Sequence, residues 1–64
     1  SVMNFLLSYW CGNSNEWKSI PVSVPDEEPS DEHEKFWKHQ HRRLVREHPE
    51  LAGKTYVLLP SEDQ

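Results

Sequence analysis

The chain has 64 residues, a formal net charge of −4 and a single cysteine, and each of these limits what it can be. A chain this short has room for one domain and buries only about 60% of the surface that its unfolded form exposes. The net negative charge argues against a whole-surface binder of nucleic acid or of an anionic membrane. One cysteine excludes an internal disulfide and fits a reducing compartment, so we expect a cytoplasmic protein.

The whole chain, residues 1–64, is expected to form one small domain with loose ends. Hydrophobic residues make up 34% of the chain and include three tryptophans. This content is enough for a marginal core and is higher than expected for a disordered chain. Ser1 and Val2 ahead of Met3 indicate a cloning remnant. Residues 61–64 are expected to form a flexible tail. The apolar run at 5–7 is too short for a signal peptide or a membrane span.

Two segments with period-two alternation predict a β-hairpin at the start of the chain. Residues 3–10 place Met3, Phe5, Leu7 and Tyr9 on one side, which we expect to face the core. Residues 11–16 have the composition of a turn, and residues 17–24 alternate again. The core side of this second strand is expected to hold Ile20, Val22 and Val24.

The opposite side of the hairpin carries Trp10 and Trp17, one on either side of the turn. We expect the two rings to lie close together on a surface that the rest of the chain leaves uncovered. Pro21 has no amide hydrogen to donate, which predicts that the second strand lies at the edge of the sheet.

Residues 30–48 predict an amphipathic helix. Phe36, Trp37, Leu44 and Val45 recur at helical spacing and define a buried side centred on Trp37 and Leu44. Ser30 or Asp31 is expected to cap the start of the helix, with Asp31 and Glu34 at capping-box spacing after the acidic connector 26–29. Pro49 predicts a helix end at His48.

The exposed side of this helix is expected to form a basic ridge in an otherwise acidic chain. Five of the seven Lys and Arg residues lie in the helix, and Arg is the side chain best suited to bind carboxylate or phosphate in a bidentate manner. An ordinary solvated helix surface is the alternative interpretation. The basic ridge consists of Lys35, His39, Arg42, Arg43 and Arg46, with Lys38 at its border.

Residues 55–59 predict a third strand, with Tyr56 and Leu58 on one side and Val57 and Leu59 on the other. The order strand, strand, helix, strand predicts an α+β fold in which one helix packs across a three-stranded antiparallel sheet. If the second strand is an edge, the sheet order is 2-1-3, and strand 55–59 has a free edge that could pair with a strand of a partner protein or with a second copy as a homodimer.

No residue pattern indicates catalysis, a metal or a cofactor. No two of the four histidines stand four residues apart, the helical step at which two imidazoles can share one ion, and Cys11 has no partner thiol. Cys11 has no activating residue nearby in sequence, and it is interpreted as a small apolar side chain. Gly53, Lys54 and Thr55 resemble the end of a phosphate-binding loop, but they run from helix to strand, the reverse of that motif.

By elimination, the sequence predicts a non-enzymatic module that binds another protein as an inhibitor or adaptor. Exposed aromatic and Arg side chains are enriched at binding hot spots. Small acidic proteins are common among accessory and phage-encoded regulators, which is an association by size and charge alone. The second hypothesis is a nucleic-acid-binding domain that uses the helix. The candidate partner-binding residues are His39, Arg42, Arg43, Arg46, Trp10 and Trp17.

Overall fold

A computed structural model describes residues 1–26 and 31–62 of the chain. Strand β1 (Val2–Cys11) and strand β2 (Glu16–Pro25) form a long hairpin. Helix α1 (His33–Glu47) follows, then one turn of 3-10 helix (Pro49–Leu51) and strand β3 (Tyr56–Pro60). No helix in the described ranges is long and apolar enough to cross a membrane.

The three strands form one antiparallel sheet in the order β2-β1-β3, which confirms the predicted topology and the α+β class. Strand β1 is central, and Pro21 lies in the edge strand β2 opposite Leu6. Along its other edge β1 pairs with β3, where Leu6 is opposite Leu59 and Leu7 is opposite Leu58. Both hairpin strands are slightly longer than the alternation indicated.

The hairpin turn comprises residues 12–15, and the last paired residues are Cys11 and Glu16. Asn15 has a φ of 56°, a left-handed conformation that asparagine adopts more readily than most residues. The turn therefore joins the strands in a register that places Trp10 directly opposite Trp17.

The core lies between α1 and one face of the sheet. Leu7 and Leu44 are almost completely buried and belong to one apolar cluster, which Leu51 of the 3-10 turn closes from the side. The predicted core sides of β1 and β2 are confirmed, since Tyr9, Val22 and Val24 are also buried.

The buried side of α1 confirms the prediction at Leu44 and differs from it at Trp37, because Gln40 and Leu44 are the buried residues of the helix and Trp37 is only half-buried. Trp37 lies outside the core cluster and packs against Phe36, with ring centroids 5.1 Å apart. Burial of Gln40 is possible because its Oε1 accepts a hydrogen bond from Nε of Arg43 at 3.0 Å. The centre of the buried side is thus rotated away from Trp37.

The start of α1 also differs from the prediction. Glu32 is the N-cap residue and makes no side-chain capping bond, so the predicted capping box of Asp31 and Glu34 is wrong. Asp31 precedes the cap by one residue, which takes its carboxylate out of the position that serves the first free amides. Ser30, the other candidate cap, and positions 27–29 of the connector lie outside the described residues.

The helix ends as predicted, with His48 as the C-cap and its amide bonded to the carbonyl of Leu44. Gly53, at a φ of 74°, turns the chain from the 3-10 helix toward β3. Two positions near the ends of the chain are ordered by pairing: Val2 is in β1 opposite Pro25, and the Ser61 amide donates to the Asn4 carbonyl. Residues 63–64 of the expected tail lie outside the described residues.

Candidate binding surface

The sheet face opposite α1, called the open face below, holds every large apolar side chain that is exposed in the described residues. The period-two alternation of all three strands brings these side chains to the same side. None of the residues on this face is charged, although 28% of the chain is. The open face consists of Val2, Asn4, Leu6, Ser8 and Trp10 of β1, Trp17, Ser19, Pro21, Ser23 and Pro25 of β2, and Val57 and Leu59 of β3.

The polar side chains of the open face are already hydrogen-bonded to one another across β1 and β2. The hydroxyls of Ser8 and Ser19 are 3.0 Å apart, and Ser23 donates to Oδ1 of Asn4 at 2.8 Å. A polar group with a partner inside the protein costs much less to remove from water than one without. The whole face can therefore be covered by an apolar surface at low cost.

Trp10 and Trp17 form an aromatic pair at one end of the open face, as the sequence predicted. Their ring centroids are 5.7 Å apart and the planes are inclined at 75°, an edge-to-face arrangement. Trp10 is 44% exposed and Trp17 is 64% exposed, so both rings combine a fixed orientation with a large accessible area.

The two outer strands differ in how their free edges are protected. Strand β2 carries Pro21 and Pro25 together with the charged Glu16 and Lys18, features that discourage pairing with a further strand. Strand β3, Tyr56–Pro60, is shorter and has a proline at its last position, but it has no charged residue. The edge of β3 is the less protected one.

Four of the five ridge side chains, Lys35, His39, Arg42 and Arg46, are exposed on α1 as predicted. In the part of the chain that the structure describes, none of these four forms an ion pair with an acid. Lys38 at the border binds Glu34 at 3.1 Å. The exposed positive charge on α1 is thus a real feature, but it lies on the opposite side of the molecule from the open face.

Arg43 is the exception in the basic ridge, because its side chain is half-buried between α1 and β2. One terminal nitrogen donates to the Ser23 carbonyl at 2.8 Å, and the other binds Glu47 at 3.0 Å. These bonds, with that to Gln40, occupy the guanidinium on the protein's own groups. The assignment of Arg43 to the exposed side of the helix is therefore wrong, and its contacts indicate a role in attaching the helix to the edge strand.

We expect Arg43→Ala to lower the free energy of unfolding by about 1–2 kcal/mol, since it removes charge-assisted bonds to Ser23 and Gln40. Arg46→Ala, on the exposed side of the same helix, should change it by less than about 0.5 kcal/mol. Urea unfolding followed by circular dichroism measures both. Equal effects of the two substitutions would show that the bonds of Arg43 do not stabilise the fold.

A groove of about 680 Å³ runs along the flank of α1 beside Trp37. Nearby, Nδ1 of His41 lies 2.8 Å from the hydroxyl of Tyr56, and the two rings stack. Burial raises the pKa of Tyr56 above its ordinary value. This contact joins α1 to β3 and fixes His41 as part of the packing. The residues that line the groove are His33, Glu34, Trp37, Lys38, His41 and Arg42.

Cys11 lies at the end of β1, half-buried against the rim of the core. The hydroxyl of Ser14 hydrogen-bonds to the thiolate form and lowers the pKa of Cys11; the backbone amide of Ser14 and the charge of Lys18 act in the same direction. No His, Asp or Glu side chain is among these influences. Across the described ranges no three His, Cys, Asp or Glu side chains cluster as metal ligands would.

Replacing Cys11 with Ser should cost about 1 kcal/mol or less, because the side chain only borders the core. The melting temperature of the Cys11→Ser protein should therefore stay within a few degrees of the parent, and EDTA should alter neither protein. Thermal melting with and without EDTA is the measurement. A chelator-dependent melting temperature would reveal a metal site.

Sequence reasoning singled out the tryptophan pair but not the aliphatic part of the open face. Val2, Leu6, Val57 and Leu59 each occur on the non-core side of an alternating segment. That signal was present in every strand, but the side chains become one surface only once the strand order brings β3 beside β1.

Comparison with known proteins gives no assignment. No family model matches the chain, and neither the curated protein sequences nor the solved structures contain a significant match.

Proposed function

We propose that this chain is a small non-enzymatic module that binds another protein through the open face and acts as an inhibitor or adaptor of that partner. One observation carries the proposal: every large exposed apolar side chain in the described residues lies on this one uncharged face. Monomeric proteins seldom expose a contiguous apolar surface of more than a few hundred Å² unless it is used for binding. The single Cys11 fits a reducing compartment such as the cytoplasm.

The tryptophan pair supplies the expected centre of affinity. Tryptophan is the residue type most enriched at binding hot spots, and a rigid aromatic pair loses little conformational entropy when a partner covers it. The serine and asparagine side chains between the apolar rows are hydrogen-bonded to one another, so they need few hydrogen bonds from the partner. These features favour an apolar, uncharged counter-surface.

Nucleic-acid binding through α1 is the second candidate, supported by the exposed Arg42 and Arg46, which form no ion pair within residues 1–26 and 31–62. Three observations favour the open face over α1 as the binding surface. The net charge is −4, Arg43 is held by Ser23 and Glu47, and the aromatic pair that could stack on bases lies on the opposite side of the molecule.

Capture from an extract of the native host, followed by mass spectrometry, tests the proposal with three immobilised proteins. The parent is compared with Trp17→Lys, which places a charge on the open face, and with Arg42→Glu/Arg46→Glu, which reverses the exposed charge of α1. A partner bound through the open face is retained by the parent and by the helix variant and lost by Trp17→Lys.

Nuclease treatment of the extract separates the two candidates. Nucleic acid retained by the parent, lost with Arg42→Glu/Arg46→Glu and released steeply by salt would support binding through α1 instead. A protein retained equally by the parent and by Trp17→Lys would contradict the open face as the contact surface.

A further inference from the structure

We infer that, in the absence of a partner, the open face is covered by a second copy of the same chain, so that the free protein forms a weak face-to-face dimer. This inference shares its surface with the proposed function but needs no partner protein. The two sheets would stack about 10 Å apart with strand directions within about 30°, the usual arrangement of packed sheets.

Charge distribution makes a second copy a suitable occupant. Each copy carries a net charge of −4, so most encounters between copies are repulsive. The open face carries no charge, so stacking two such faces buries no charged side chain and brings no like charges together. An uncharged surface is complementary to itself in charge, which is what a two-fold symmetric interface requires.

Hydrogen bonding leads to the same conclusion. A second copy of this face presents mainly apolar side chains, so polar groups that it covers need partners within their own chain. Ser8 is paired with Ser19, and Ser23 is paired with Asn4. These pairs remain intact when a second apolar face covers them.

The dimensions of the face set the expected strength of the dimer. β1 and β2 have ten residues each and β3 has five. At about 3.3 Å per residue and 4.8 Å between strands, the three cover roughly 400 Å² in projection. Because side chains project from the sheet, the accessible surface of the face is larger than its projected area. Two copies together would bury roughly 1,000–1,200 Å², which is near the lower end of the range for stable interfaces. The dimer should therefore dissociate in the micromolar range, on the order of 10⁻⁵ M.

The row formed by Pro21, Leu6 and Leu59 lies across the middle of the face, and Trp10 and Trp17 lie at one end. Face-to-face contact therefore involves both β2 and β3. Pairing through the free edge of β3 would instead leave β2 far from the contact. This difference lets one substitution in each outer strand distinguish the two kinds of dimer.

Sedimentation equilibrium of the isolated protein, from about 1 µM to about 1 mM, tests the inference. The parent mass should rise with concentration from 7.6 kDa toward twice that value. Leu59→Lys in β3 and Trp17→Lys in β2 each bury an unpaired charge in both copies of the dimer, and each should weaken dimerisation on the order of 100-fold or more. Ala52→Lys adds the same charge at an exposed position after the 3-10 helix, outside the open face, and should leave the dissociation constant unchanged.

Circular dichroism confirms that each variant is folded before its mass is interpreted, and Leu59→Thr replaces Leu59→Lys if the latter is not. A parent that stays monomeric near 1 mM overturns the inference, as does a dimer that Trp17→Lys leaves intact, which would indicate pairing through β3. A monomeric parent whose partner binding still requires Trp17 leaves the proposed function standing. If the protein forms the face-to-face dimer but Trp17→Lys does not change partner binding, the inference is supported and the proposed function is contradicted.

Discussion

Leu44→Ala should lower the free energy of unfolding by about 2–5 kcal/mol, because Leu44 is completely enclosed in the cluster that joins α1 to the sheet. A domain of this size has a total stability of only about 3–10 kcal/mol, so the substitution should leave a large fraction of the chain unfolded at 37 °C. Urea titration with circular dichroism at 25 °C gives the value.

Trp37→Ala is the informative comparison, since tryptophan is the larger side chain and the helical periodicity placed it at the centre of the buried side. In the structure Trp37 is half-buried, lies outside the core cluster and makes edge-to-face contacts with Phe36 and His33. We therefore expect it to cost less than Leu44→Ala, about 1–2 kcal/mol. A larger loss for Trp37→Ala than for Leu44→Ala would mean that α1 packs on the sheet with a different side.

Trp17→Thr should weaken binding of the protein partner by about 30-fold or more, which corresponds to the 2 kcal/mol typical of a hot-spot tryptophan. Threonine keeps the strand preference, and Trp17 is 64% exposed, so the free energy of unfolding should fall by only about 1 kcal/mol. Surface plasmon resonance with the captured partner measures the affinity, and most of the change should appear in the dissociation rate.

Arg46→Ala serves as the matched control for this measurement, because Arg46 is exposed on α1, away from the open face. It should bind the partner like the parent. The opposite result, with Arg46→Ala weakened and Trp17→Thr unaffected, would transfer the binding surface to the basic ridge.

Alternation of apolar and polar residues was sufficient to predict the sheet, because a strand with one buried face repeats every second residue whatever its partners are. Pro21 identified the second strand as an edge strand, and this position implied the order 2-1-3 for the sheet. The helix was predicted with the correct end and with Leu44 correctly on the buried side, but Trp37 was wrongly expected to be buried with it. Periodicity weights Trp37 above Gln40 by residue type, whereas burial of Gln40 depends on a hydrogen bond from Arg43, three residues later on the same helix, which a pattern of apolar residues does not register.

Arg43 illustrates why the candidate site was only partly predictable. A long side chain can bury its stem and reach a distant backbone group, so its position on a helical wheel does not determine its environment. The carbonyl that Arg43 binds belongs to Ser23, twenty residues earlier in the chain. The open face had the reverse difficulty: each strand carried its signal, but the continuity of Leu6 with Leu59 depends on strand order.

Hydroxyl-radical footprinting of the three tryptophans, with and without the captured partner, tests the central claim most directly. Trp10 and Trp17 lie on the open face and Trp37 lies on the flank of α1, so the chain contains its own control. The protein is kept near 0.1 µM, well below the dimer dissociation constant expected here. Protection of Trp10 and Trp17 by the partner, with Trp37 still oxidised as in the free chain, is the predicted result. Protection of Trp37 alone would contradict the assignment of the open face as the binding surface.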